Sequence, residues 1–250
     1  MPYADNEGIT IHYKLEGAGP PLLLQHGFTS CIEDWFEDGY VAALRPEYQL
    51  ILIDARGHGA SDKPHDQAAY TLERRVADVT AVLDTLKIEK AHFWGYSMGG
   101  WIGFGMAKHA PNRLDKLVIG GQHPFARDQS HFRQWLRHGI AEGPDALVTA
   151  FESMAGPIPE AYADCLRTAD LQAWLAAVED RVSNEDVLGT MTMPCCLYAG
   201  DADPIFAQAK QASERIPNAV FFALPGLSHL EGFLESRRVL PPIMEFLAKS

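Results

Sequence analysis

Residues 91–107 read AHFWGYSMGGWIGFGMA. Ala91–Tyr96 has the length and aromatic content of a buried strand, and Met98–His109 carries the pattern of a helix. Ser97 therefore falls at the turn between them. Around it, Gly95-Tyr96-Ser97-Met98-Gly99 is a G-x-S-x-G pentapeptide, in which a tight strand-to-helix turn pushes the serine side chain outward and glycines permit close packing. A serine at a helix amino terminus also sits among free N–H groups that favour developing negative charge. Taken alone, the five residues would suit a glycine-rich turn with an inert serine; the strand before and the helix after argue for a nucleophile.

Outward from this point, strand-like and helix-like segments alternate. Ile9–Leu15, Pro21–Gln25, Gln49–Ile53, Lys116–Gly120, Cys195–Ala199 and Ala219–Leu224 read as strands. Glu33–Leu44, Leu72–Leu86, a segment around Ala207–Arg215 and one near Arg238–Ala248 read as helices. Such alternation predicts an α/β fold with a mostly parallel sheet flanked by helices. Residues 124–192 break the rhythm: Phe125, Phe132, Trp135, Phe151, Tyr162 and Trp174 lie on helical patterns, with breaks at Gly143-Pro144 and Gly156-Pro157. The expectation is one domain, with residues 1–123 and 193–250 as its core and 124–192 as a short helical lid inserted before the last strands.

A serine hydroxyl is a weak nucleophile and needs a base, which in turn needs an orienting carboxylate. In folds with this elbow the chain order is serine, acid, histidine. The chain has 10 histidines, and their positions thin the field. His12 and His92 lie within strands; His109, His131 and His138 lie on helices; His26, His58 and His123 border early loops. Only His229 follows the last expected strand, in Pro225-Gly226-Leu227-Ser228-His229, and it is the candidate base. The acid should follow Cys195–Ala199, in Gly200-Asp201-Ala202-Asp203-Pro204. Asp203 precedes a proline, which holds its backbone extended. Asp201 could instead bond backbone amides in the turn. The residues alone leave both open.

The chain has 250 residues, 47% hydrophobic and 22% charged, with a formal charge of -12. That balance suits a globular core and excludes disordered, collagenous and coiled-coil proteins. An acidic surface repels phosphate backbones and anionic lipid, so no nucleic-acid or membrane partner is expected. Cys31, Cys165, Cys195 and Cys196 lack the spacing of a disulfide framework or zinc site and read as free thiols. The amino terminus shows no secretory signal, and the chain has no run of 18 apolar residues, so a cytoplasmic location is expected. There is no H-E-x-x-H, no phosphate-binding G-x-x-x-x-G-K-[ST] and no dinucleotide fingerprint; neither metal nor cofactor is implied.

HGF at 26–28, DARGHGAS at 54–61, GYSMGG at 95–100, GDADP at 200–204 and SHLE at 228–231 together resemble the α/β-hydrolase superfamily over nearly the whole chain. The resemblance is to its small serine esterases and lactonases. It implies Ser97, Asp203 and His229 as catalytic residues, Asp203 because the family's acid is usually the fourth residue of a G-x-x-D pattern. It implies an oxyanion hole from the backbone N–H groups of Phe28 and Met98. Cleavage of a small ester or lactone through an acyl-enzyme follows, with carbon–carbon hydrolysis, perhydrolysis and a non-enzymatic small-ligand receptor as alternatives on the same scaffold. A serine at the elbow disfavours dehalogenase and epoxide hydrolase chemistry, whose relatives use aspartate there. DARGHGAS is assigned no chemistry; Arg56 and Ser61 are expected to tie down local backbone. Trp35 and the lid aromatics are more naturally core than ligand contacts. Ser228 departs from the family, which often has glycine there, as does Glu235-Ser236, where glutamate-proline is common.

Overall fold

The computed structural model describes residues 2–249, leaving Met1 and Ser250 outside the described core. Eight strands form one sheet: β1 (Tyr3–Asn6), β2 (Ile9–Glu16), β3 (Pro21–Gln25), β4 (Gln49–Ile53), β5 (Ala91–Tyr96), β6 (Leu114–Gly120), β7 (Cys195–Gly200) and β8 (Val220–Leu224). Their order across the sheet is β1-β2-β4-β3-β5-β6-β7-β8. β1 and β2 pair antiparallel, as do β2 and β4; all later pairings are parallel. The α/β expectation therefore holds, with two additions. β1, too short to read from its alternation, is paired to β2 through the turn at Glu7-Gly8. The stretch expected as a single helix over Glu33–Leu44 is two, α1 (Ile32–Glu37) and α2 (Tyr40–Leu44), because Gly39 takes a left-handed φ of 80° that ends the first.

Both sheet faces are covered, so the inner strands are apolar throughout rather than alternating. Leu23, Ile51, Phe93, Ile119 and Leu197 face the helices α3 (Leu72–Thr85) and α4 (Met98–His109). Leu22, Leu24, Leu52, Trp94 and Tyr198 face the other way, against α1, α2 and the C-terminal helix. Trp35 is fully buried on that face, edge-on to Tyr40, Trp94 and Phe233. It is core, as its helical spacing suggests.

Between β6 and β7 the chain runs through four helices: α5 (Ser130–Glu142), α6 (Pro144–Ala155), α7 (Glu160–Thr168) and α8 (Leu171–Ala177). They share a small apolar cluster built on Trp135, Leu136, Leu147, Leu166 and Trp174. The rest of the insertion behaves differently. Val187, Leu188 and Met191 pack into the core of the sheet. The helices are held to the sheet by Trp174 Nε1, which donates to the Gly57 carbonyl at 3.1 Å, and by Arg75 Nη2, which donates to the Ala177 carbonyl at 3.1 Å. The hydroxyls of Thr29 and Tyr162 are also bonded. The α9 (Phe206–Glu214), α10 (Glu231–Leu234) and α11 (Ser236–Ala248) helices complete the chain, with α11 against the face that buries Trp35.

The DARGHGAS stretch is a buried polar knot. Arg56 makes a two-pronged pair with Asp78, at 2.6 Å from Nε and 2.5 Å from Nη2. Ser61 Oγ donates to the Asp54 carbonyl at 2.6 Å and accepts from the His12 amide at 2.8 Å. The Asp54 carboxylate accepts from the amides of Ile32 and Ala60, both at 2.9 Å, and is bonded to His12 Nδ1 at 2.7 Å. Replacing Asp54 with alanine orphans two buried donors, the Ile32 amide and His12 Nδ1, each costing about 1–3 kcal/mol, and the part-buried Ala60 amide. An Asp54→Ala protein should lose about 3 kcal/mol or more, read as a fall of at least about 6 °C in Tm.

Candidate active site

Four loops at the carboxyl ends of parallel strands converge. β3 and β5 are neighbours, with Gln25 opposite Gly95, so His26-Gly27-Phe28 and Ser97 leave the sheet side by side. A Cβ on Gly27 would lie 3.5 Å from that of Ser97. The elbow itself needs glycine. A Cβ on Gly95 would stand 2.2 Å from the Gly99 carbonyl oxygen, and one on Gly99 would stand 2.0 Å from that of Gln25. Ser97 takes φ 52° and ψ -111°, a conformation that costs about 1–3 kcal/mol in a non-glycine residue and persists only when its surroundings enforce it. Here they do. The Ser97 amide donates to the Gly120 carbonyl at 2.8 Å, and Gln122 Nε2 donates to the Ser97 carbonyl at 2.9 Å.

The structure brings Ser97, His229 and Asp203 into one hydrogen-bonded line. His229 Nε2 lies 3.0 Å from Ser97 Oγ, and His229 Nδ1 lies 2.6 Å from Asp203 Oδ2. A carboxylate can only accept, so Nδ1 carries the proton and Nε2 presents its lone pair to the serine hydroxyl. Asp203 is buried, with its other oxygen accepting from the Ile205 amide at 3.1 Å. Asp201 faces elsewhere: it accepts from the Gly226 amide at 2.6 Å and closes the turn after β8. Geometry thus separates the two aspartates that the residues left open.

The His229 loop is braced on both sides. Tyr96 Oη donates to the His229 carbonyl. Ser228 and Glu231 bond reciprocally, the Ser228 amide to Glu231 Oε2 at 2.8 Å and the Glu231 amide to Ser228 Oγ at 3.4 Å. This is a capping box, and it gives the serine at position 228 a structural role. Tyr96 and Gln122 were not singled out by the sequence, since each reveals itself only through a contact made across the fold.

Phe28 and Met98 border the same cavity as Ser97 and His229. Met98 opens α4, so its N–H has no partner within the helix. Among the described residues, neither the Phe28 nor the Met98 amide donates a hydrogen bond to protein. The cavity holds about 710 Å³, within the range of small-molecule sites. Phe132 of α5 and Trp101 of α4 contribute aromatic walls, whereas Trp135, Phe151, Tyr162 and Trp174 do not line it.

The other early-loop histidines sit apart from this line. His26 is fully buried, its Nε2 accepting from the Ala55 amide at 3.0 Å, and burial holds its pKa below the usual value. Burial first, then the charge of His26, pushes His58 down to about 3. His123 falls to about 4, through burial and then the nearby Arg127 and Arg181. No group of three metal-binding side chains occurs among the described residues, and no described helix is long and apolar enough to cross a membrane. The four cysteines are unpaired.

Comparison with known proteins places these features in context. Residues 20–145 match a family model described as the alpha/beta hydrolase fold. The 3-oxoadipate enol-lactonase 2 of Acinetobacter baylyi is 26% identical, over 80% of this chain and 78% of that protein. A solved hydrolase from Pseudomonas aeruginosa is 26% identical with a TM-score of 0.85, covering 99% of this chain and 98% of that one. The enol-lactonase structure from Burkholderia xenovorans superposes with a TM-score of 0.88 at 23% identity, over 99% and 100% of the two chains, which shows a shared fold. Several other curated relatives are matched over 56% or less of their own length.

Proposed function

The chain belongs to the α/β-hydrolase family, and on that premise we propose that it is a serine hydrolase cleaving a small carboxylic ester or lactone through an acyl-enzyme. The observation that carries this reading is the line from Ser97 Oγ through His229 to the buried Asp203, at 3.0 and 2.6 Å, opening into a cavity of about 710 Å³. The distances are those of a nucleophile and base in hydrogen-bond contact, with the base oriented by a third group.

Ser97 Oγ attacks the ester carbonyl as its proton passes to His229 Nε2. The imidazolium so formed is stabilised by Asp203, which keeps its charge. Negative charge collects on the former carbonyl oxygen, where the Phe28 and Met98 N–H groups receive it. A preorganised donor of this kind contributes about 2.7–4 kcal/mol to the transition state. Collapse of the adduct breaks the ester bond, and His229 returns its proton to the departing alkoxide. A water then gives a proton to His229 and attacks the acylated serine, releasing the acid and restoring Ser97. Of the inserted helices, α5 through Phe132 and the end of α8 at Ala177 border the cavity and wall the acyl group, with α6 and α7 packed behind them.

The test is hydrolysis of p-nitrophenyl butyrate at neutral pH, followed by release of p-nitrophenolate. The wild-type protein should turn it over with saturation kinetics. No turnover of this ester or of a panel of small lactones would overturn the reading in favour of carbon–carbon hydrolysis or a ligand receptor.

A further inference from the structure

Three arginines without a paired carboxylate border the cavity of a protein that is otherwise strongly acidic. The formal charge of the chain is -12, yet Arg75, Arg127 and Arg181 all border the cavity with Ser97. Lys108 borders it too, but it is answered by Asp186 at 3.0 Å. The three arginines are not. Among the described residues, none of them forms an ion pair with a carboxylate.

Arg127 and Arg181 are placed in a way that stability does not explain. They form an isolated antiparallel bridge between the segment entering the inserted helices and the one leaving them. The Arg127 amide donates to the Arg181 carbonyl at 3.0 Å, and the Arg181 amide to the Arg127 carbonyl at 2.9 Å. Residues directly opposite in such a pair project to the same face, and like charges there are destabilising. The guanidinium of Arg181 lies 5.1 Å from the centre of the Trp101 ring, and Trp101 is one helical turn beyond Ser97. Its Nη1 is buried and finds no hydrogen-bond partner. A buried charged donor left unmade is costly, so such a group signals a missing partner.

Arg75 adds to the excess. It spends its donors on neutral acceptors: the carbonyls of Tyr70 and Ala177 at 3.0 and 3.1 Å, and Met98 Sδ at 3.3 Å. The carboxylates around the cavity are largely engaged elsewhere. Asp203 holds His229, Asp180 holds Arg133 at 2.8 Å, and Glu73 faces His109 at 3.7 Å. Arg75 is offset electrostatically by Asp78 first, which lies outside the cavity lining, and only then by Glu179 among the carboxylates. Burial, then Arg127 and Arg75, pushes Arg181 down to about 9, so it stays charged at neutral pH and lacks a counter-ion.

We propose that the substrate carries a carboxylate apart from its scissile carbonyl, and that Arg181 with Arg127 binds it. The inference deepens the ester reading above and rests on it for the reaction. A guanidinium fork matches a planar carboxylate with two parallel hydrogen bonds. The unsatisfied Arg181 Nη1 supplies one such donor, and a bound carboxylate relieves the repulsion between the paired arginines. A local positive field inside an acidic surface also draws an anion to the cavity.

Two measurements test this. The first compares kcat/KM for the mono-p-nitrophenyl esters of adipate, pimelate and suberate with that for p-nitrophenyl hexanoate, heptanoate and octanoate, each pair matched in length. At one length or more the acidic ester should be preferred by about tenfold or more, the scale of a charged hydrogen bond, and Arg181→Gln should bring that ratio to about one. The second titrates adipate, pimelate and suberate calorimetrically into the wild-type protein and the same variant, which needs no turnover. Binding should weaken about tenfold or more in Arg181→Gln. Should that variant not fold, Arg127→Gln carries both comparisons. Dicarboxylate binding lost with Arg181, in a protein that cleaves no ester, would uphold the anion site and overturn the ester reading. Turnover of neutral esters with no acidic preference at any length, or a preference unchanged in both variants, would overturn the anion site.

Discussion

Replacing Ser97 with alanine should cut p-nitrophenyl butyrate turnover by about 10⁴–10⁶-fold while leaving the fold in place, since removal of the nucleophile from such a triad leaves only residual catalysis from the oxyanion hole and binding. The loss is expected in kcat rather than KM, because Oγ forms its bond only as the reaction proceeds. Stability should not fall. Ser97 occupies a left-handed backbone position enforced by Gly120 and Gln122 through its main chain, and among the described residues its hydroxyl hydrogen-bonds only to His229. Near-normal turnover by Ser97→Ala, measured on protein free of wild-type contamination, would remove Ser97 from the reaction.

The second large effect separates two aspartates only two positions apart. Asp203→Asn should lower kcat by about 10⁴-fold, because an amide facing His229 Nδ1 favours the wrong tautomer and cannot stabilise the imidazolium. Asp201→Asn should stay within about tenfold of wild type. Its oxygen accepts from the Gly226 amide, a bond that an asparagine carbonyl can also make at a typical worth of about 1 kcal/mol. Equal losses in the two variants would contradict the assignment of Asp203 as the orienting acid.

How much of this was legible follows from the range over which each feature is encoded. The elbow was readable because its requirements are local: Gly95 and Gly99 are demanded by contacts of 2.2 and 2.0 Å with backbone a few residues away or on the adjacent strand. Chain order then singled out His229, whose place after the last parallel strand is a property of topology. The choice between Asp201 and Asp203 needed either the family pattern or the fold, as both suit a turn after β7. Short-range signals misled in one place. The apolar spacing of residues 33–44 runs through Asp38-Gly39, and a left-handed glycine there cuts the helix in two. β1 escaped notice because four residues carry too little alternation, and its pairing with β2 defines it.

The features that were not legible are contacts between distant segments. Nothing in residues 124–130 announces that Arg127 will stand opposite Arg181, or that both will face the serine's cavity. Tyr96 and Gln122 likewise read as an aromatic in a strand and a polar residue in a loop. Their bonds to the His229 and Ser97 carbonyls exist only once β5, β6 and the loop after β8 are side by side. The same holds for the lid aromatics: one helical pattern yields Trp135 and Trp174 in a small core and Phe132 at the cavity wall.

The central claim is that acyl transfer passes through a covalent bond to Ser97 Oγ. It is tested most directly by quenching the protein in acid during turnover of p-nitrophenyl butyrate and measuring its intact and peptide masses. A gain equal to one butyryl group, localised to the peptide containing Ser97 and missing in Ser97→Ala, is the predicted result. Turnover with no acylated species, even when the protein is quenched within its first turnover, would contradict it.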